Sequence, residues 1–186
     1  MPRPLTIFGE PGERPALQGA CFLNGGLFPE THRPVPIQRL LLSPLGPLVA
    51  HLTSKAAVAR NLRRIFGART PPEAAFVDAC WDLMTANDGL QAFPRLIRYM
   101  PERRRHRARW VGALQAARVP LKLIDGVDDP VSGRHMVARY RELVPHADVT
   151  ELAGIGHYPQ VEAPQAVLDA YFAFRARVAQ DTPADR

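Results

Sequence analysis

The chain has 186 residues, of which 46% are hydrophobic, and a formal net charge of +6. That is enough apolar content for one packed domain, or a domain with a small lid, and it excludes disorder along most of the length. Cys21 and Cys80 lie far apart and make no CxxC or metal-type spacing, so neither a disulfide framework nor a zinc site is indicated and a reducing compartment fits.

In chain order, residues 1–19 are rich in Pro and Gly and show no helical or strand period beyond "LTIF", so a loosely ordered leader is expected. "ACFLNGG", from Ala20, is a short apolar run ended by two glycines, the pattern of a buried parallel strand running into a loop. Residues 36–117 hold several amphipathic segments. The clearest opens at "TPPE", where Thr70 offers an N-cap, Pro71 the first helical position and Glu73 a capping box. Phe76, Ala79, Cys80, Leu83 and Met84 then recur at helical spacing, and "NDG" at 87–89 supplies the stop. Pro44 and Pro47 interrupt the most apolar piece, "LLLSPLGPLVAHL", and no charged start leads into an apolar run. No transmembrane or signal segment is therefore indicated, and a cytoplasmic protein is expected.

The positive charge is almost wholly arginine, since Lys55 and Lys122 are the only lysines. It is concentrated in "PERRRHRARW" (101–110), a dense basic helix that could neutralise phosphates or face an acidic partner. The simpler expectation is a solvated helix face whose apolar side, Trp110, Val111 and Leu114, packs inward; the sequence argues against nucleic acid as a partner.

The last third alternates. "VPLKLIDG" (119–126) reads as a strand, "GRHMVARYRELVP" (133–145) as a helix, "ADVTELAG" (147–154) as a strand and "APQAVLDAYFAFRARV" (163–178) as a helix, with a disordered tail over 179–186. Strand–helix–strand–helix implies parallel strands, and in such sheets chemistry gathers in loops at the carboxyl ends of the strands. Those loops are "GVDDPVSG" and "GIGHYPQVEAP", which place Asp129 and His157 on one edge. If the two strands are neighbours, their axes lie roughly 5 Å apart, close enough for acid and imidazole to meet. The plainer alternatives are that Asp129 caps the next helix and His157 is an ordinary core histidine.

"DGVDDP" after one strand and "GIGHYPQVEAP" after the next resemble the acid and histidine loops of the α/β-hydrolase superfamily. "LNGGLFPETHRP" (23–34) resembles the branch of the mesoderm-specific transcript proteins, near haloalkane dehalogenases and epoxide hydrolases, and "NDG" and "RARWVGAL" (107–114) resemble that branch's lid. The resemblance covers residues 20–175 and implies an α/β fold: the carboxyl-terminal part of the hydrolase core, with about three parallel strands and flanking helices over 20–35 and 118–178, plus an all-helical cap over 36–117. It implies His157 as the base that activates water and Asp129 as the carboxylate that orients it. Asp128 competes for the acid role, but Asp129, directly before Pro130, fits the pattern.

The family nucleophile is the departure. No G-x-[SDC]-x-G turn occurs; Ser43 and Ser54 fall in the cap, Ser132 follows the acid loop, and Cys21 lies within a strand. In the family order the nucleophile precedes the strand that "ACFLNGG" resembles, so its place is expected upstream of residue 1, in a longer enzyme of which this chain is a truncated part. The unpaired outer edge of that strand is then expected to seek a partner, by self-association or by a complementary fragment. Substrate-binding candidates are Asn24, Phe28, Trp81, Trp110 and Tyr158, against the plainer readings that Asn24 shapes a turn and the aromatics are core. Glu30 and His32 could form a second acid–base pair. The expected partner is a small apolar ester, epoxide or haloalkane-type substrate, with no cofactor and no metal, since the histidines form no HExxH pair. The alternative is a non-catalytic binding module that uses the remnant fold and the arginine-rich helix.

Overall fold

The computed structural model describes residues 17–181. A three-stranded sheet, in order β1 (Ala20–Leu23), β2 (Leu121–Gly126) and β3 (Asp148–Leu152), forms the centre of the fold. Both pairings are parallel, Ala20 to Leu23 against Leu121 to Ile124, and Lys122 to Gly126 against Asp148 to Leu152. The strands are neighbours, as the meeting of Asp129 and His157 requires, and the carboxyl ends of all three open on one edge. Parallel strands cannot be joined by tight turns. The connection from β1 to β2 therefore carries seven short α-helices: α1 (Pro36–Leu41), α2 (Gly46–His51), α3 (Lys55–Ile65), α4 (Ala74–Thr85), α5 (Phe93–Leu96), α6 (Tyr99–Arg105) and α7 (Arg107–Gln115).

The core lies between β2 and α8 (Arg134–Leu143). Met136, Val137 and Tyr140, followed by Val144, share one face of α8 and pack with Leu123, Val127, Phe28 and Val111. The remaining helices are α9 (Pro159–Glu162) and α10 (Pro164–Asp181). Side chains alternate across a strand, so Lys122 points away from Leu123. Its ammonium is buried and donates to Asp148 Oδ1 at 2.6 Å, while Arg177 of α10 donates to Asp148 Oδ2. One carboxylate thus ties α10 to β3 and to a buried cation in β2.

Several sequence expectations need correction. The helix expected at Thr70 begins at Ala74, because Thr70 and Pro71 each precede a proline and are biased to extended backbone. Leu83 lies outside the buried stripe of α4 at 78% exposure; Val77 is buried, with Phe76, Cys80, Trp81 and Met84 packed in the same cluster. The basic segment is two helices, broken at His106 (φ −103°, ψ 18°), and the break changes the phase of the second. Val111 accordingly packs inward with Leu114 beside it, whereas Trp110 stays 43% exposed against the His106 ring. Residues 179–181 continue α10, so that part of the expected disordered tail is helical. The rest of the tail and most of the leader lie outside the described residues. Among the described residues no helix is long and apolar enough to cross a membrane.

Asp125, two residues after Leu123, faces the α8 side with 0% exposure, and neither carboxylate oxygen has a hydrogen-bond partner. Burial first, then the charges of Asp129 and Glu151, push its carboxyl up to about 8. A folded-state pKa raised above the unfolded value means that the native state holds a proton the unfolded chain has released. The associated stabilisation is complete below the unfolded pKa and is lost as pH rises towards 8. We expect wild-type thermal stability to fall between pH 4 and pH 8 relative to Asp125→Asn, by about 5 kcal/mol at the outside. Parallel melting curves for the two proteins over that range would contradict this.

Candidate active site

The site is assembled from three loops at the carboxyl ends of the strands. Asn24 leaves β1 in the left-handed region (φ 35°), which turns its amide back across the sheet. Its Oδ1 accepts from the Gly126 amide at 2.6 Å, and its Nδ2 donates to Gly126 O at 3.1 Å and Asp129 Oδ2 at 3.2 Å. The loops after β2 and β3 are stitched together by the Asp128 amide, which donates to Ile155 O at 3.0 Å. Glycine is required at 126, because a Cβ there would stand 2.1 Å from Gly156 O.

Asp129 is the centre of this assembly. It is buried, and its Oδ2 accepts from His157 Nδ1 at 2.7 Å, from the Ser132 hydroxyl at 2.8 Å and from the Ser132 amide at 3.0 Å, while Oδ1 accepts from the Val131 amide at 2.8 Å. Burial pushes the carboxyl up, but the His157 contact and the donors from Val131 and Ser132 more than offset it and hold Asp129 below the ordinary range. Asp128 is exposed and is not the carboxylate that reaches the ring. With Nδ1–H donated to Asp129, the neutral imidazole presents Nε2 as its acceptor. Ser132 Oγ also lies 2.9 Å from Asn24 O, so its single proton is shared between two acceptors, the acid and the backbone at the end of β1.

His157 lies at the rim of a cavity of about 590 Å³. Its apolar lining comes largely from residues 36–97, including Leu41, Val58, Leu62, Met84, Phe93 and Ile97; Asn24, Gln38, His32 and Arg103 add polar groups. Of the sequence candidates, the structure brings Asn24, His32, Tyr158 and His157 to this cavity. It places the others elsewhere: Phe28 is fully buried against Tyr140, Trp81 sits in the α3–α4 cluster, and Trp110 is on the surface. Tyr158 also packs between the rings of Phe66 (5.4 Å) and Phe76 (5.9 Å).

Glu30 and His32 do not pair. Glu30 is held by Arg107 Nε at 2.9 Å and Arg139 Nε at 3.2 Å; hydrogen bonding from Arg107, opposed by burial and aided by Arg139, brings its carboxyl down to about 2. His32 Nε2 is 3.3 Å from Gln38 Oε1, and burial holds its ring below the ordinary histidine range. Arg103, which lines the cavity and donates to Gly26 O, was invisible as a site residue because it reads as one of a run of arginines. The cavity's aliphatic residues were equally concealed, since they are gathered from several separate helices and a helical period does not tell which apolar residues will wall a cavity. Among the described residues no three His, Cys, Asp or Glu side chains are grouped to hold a metal ion.

No family model matches the sequence. The chain is 44% identical over 154 residues to "Putative hydrolase LipZ" of Mycobacterium tuberculosis, covering 83% of this chain and 54% of that protein. It is 36% identical over 165 residues to the mesoderm-specific transcript protein of Mus musculus, covering 87% and 49% respectively. The fold is similar to that of the haloalkane dehalogenase DbeA-M1 loop variant from Bradyrhizobium elkanii, with a TM-score of 0.69 at 19% identity over 88% of this chain and 60% of that one. The chain is related to these proteins over most of its own length and has the α/β-hydrolase fold. It spans about half the length of the curated relatives it matches, 54% and 49% for the two above.

The Asp129 pair gives a stability signature opposite in sign to that of Asp125. A depressed folded-state pKa contributes stability above the unfolded value and loses it as pH falls through the folded one. Asp129→Asn is therefore expected to be less stable than wild type at pH 7, with the gap narrowing as the solution is acidified. Ser132→Ala should cost about 1–3 kcal/mol, the usual range for stripping a partner from buried acceptors. Urea titrations at neutral and acidic pH measure both; a neutral-pH midpoint unchanged in either variant would contradict the assignment of these bonds.

Proposed function

We propose that this chain carries the acid and the base of a hydrolase site acting on a small apolar ester, epoxide or haloalkane-type substrate. The carrying observation is the 2.7 Å contact from His157 Nδ1 to the buried Asp129 carboxylate at the rim of a cavity with a mainly aliphatic lining. In this reading Nε2 withdraws a proton from water, and the hydroxide so formed attacks a covalent enzyme–substrate intermediate. Asp129 fixes the tautomer and stabilises the imidazolium until the proton is passed on.

The attacking group that forms such an intermediate is proposed to lie on polypeptide outside this chain. Two features support this. The sequence has no G-x-[SDC]-x-G turn, and the oxygens of its three serines are engaged elsewhere: Ser43 Oγ donates to Leu40 O at 2.7 Å, Ser54 Oγ accepts as the N-cap of α3, and Ser132 Oγ contacts Asp129. Among the described residues β1 is hydrogen-bonded on its β2 side, and its outer edge is the place for a complementing strand or a second copy. The alternative of a basic interaction module would rest on Arg104, Arg105 and Arg109, which are exposed, because Arg103 and Arg107 are turned onto Gly26 and Glu30.

The test is hydrolysis of simple esters, epoxides and haloalkanes. The chain alone should give turnover at the buffer rate. Supplied with the nucleophile-bearing segment of a homologous hydrolase, or with the sequence encoded upstream, it should gain activity that His157→Ala lowers by about 10²-fold or more. Turnover by the chain alone that His157→Ala abolishes would overturn the placement of the nucleophile. Restored turnover indifferent to His157 would overturn the role of the base.

A further inference from the structure

Glu162 is a residue to which the acid–base chemistry assigns no task, yet it accepts hydrogen bonds from both sides of the base. The amides of Gly156 (2.9 Å) and Tyr158 (3.0 Å), which flank His157 in sequence, donate to its Oε2 and Oε1. From the helical segment come the amide of Gly67 (2.7 Å) and the hydroxyl of Thr70 (2.6 Å), both to Oε2. The His157 amide itself donates to Ile65 O at 2.8 Å, one of the last carbonyls of α3, which have no partner inside the helix. The two loops meet backbone to backbone. A Cβ on Gly67 would stand 2.1 Å from Gly154 O, and one on Gly156 would stand 2.3 Å from Ile65 O.

Asp129 fixes the ring, but nothing in that contact fixes the backbone from which the ring projects. From these bonds we propose that Glu162 is a positioning residue: its carboxylate clamps the backbone on either side of His157 to the 65–70 loop, so that the seat of the helical segment and the place of the base are one arrangement. Displacing the 65–70 loop withdraws the Ile65, Gly67 and Thr70 contacts together and releases the ring from Asp129. The inference rests on the reading of His157 as the base, but its test does not use turnover.

The test is NMR of the whole chain with labelled histidine, following the Nδ1 proton of His157, which Asp129→Asn identifies by abolishing its signal. Glu162→Gln puts an amino group against backbone donors, and Thr70→Val deletes one bond from a residue with no contact to the ring. Both are expected to speed solvent exchange of the His157 Nδ1 proton, by about tenfold for Glu162→Gln and less for Thr70→Val. Signals from His51 and His135 should stay in place. Gly67→Ala, which forces the two loops apart, should move the His157 signals without altering any side chain that touches the ring. Folded Glu162→Gln and Thr70→Val chains that lose thermal stability while His157 keeps wild-type exchange and chemical shifts would overturn the proposal. If Glu162→Gln fails to fold, Thr70→Val and Gly67→Ala decide the matter by the same signal.

Discussion

The carboxylate of Asp129 is the point through which three separate loops are held to one another. Asn24 reaches it from the end of β1, Val131 and Ser132 from its own turn, and His157 from the loop after β3. A buried charge is costly unless its lone pairs are engaged, so these contacts cannot be treated as separate decorations. Losing one leaves the others holding an ion in an apolar setting. The carboxyl edge of the sheet is ordered by that requirement, and Asn24, Ser132 and His157 also line the cavity beside it.

Asp125, one turn of chain earlier, is the contrast. It has the same chemistry and comparable burial, but no donor reaches it; the buried Tyr140 hydroxyl is likewise unpartnered. Paired and unpaired carboxylates in one strand–loop unit resolve their desolvation differently. One keeps its charge because donors surround it; the other keeps a proton because none do.

How much of this was legible in the sequence depended on whether a residue's task is local. β2, α8, β3 and α10 could be read from alternating apolar runs, and their parallel order put Asp129 and His157 on one edge before any coordinates. The cavity could not be read, since its walls are assembled from residues far apart in sequence, Leu41 of α1, Val58 of α3, and Phe93 and Ile97 at α5. Large aromatics were a poor guide: Phe28 fills the core and Trp110 covers the surface, because size alone does not tell a pocket wall from an interior. Thr70 misled for a related reason. Its residue type suits a helix cap, but its hydroxyl is used 92 positions away on Glu162, a partner that no local pattern discloses.

The crowding of donors on Asp129 Oδ2 has a consequence for where a proton can reside. An oxygen already receiving the Ser132 amide and hydroxyl has little basicity left, so Asp129 is a poor acceptor for a proton from the base proposed beside it. The surrounding dipoles are oriented by folding and need not rearrange as positive charge appears on the imidazole. In the proposed reading the unit is an electrostatic cradle for a cation, not a relay that hands the proton onward.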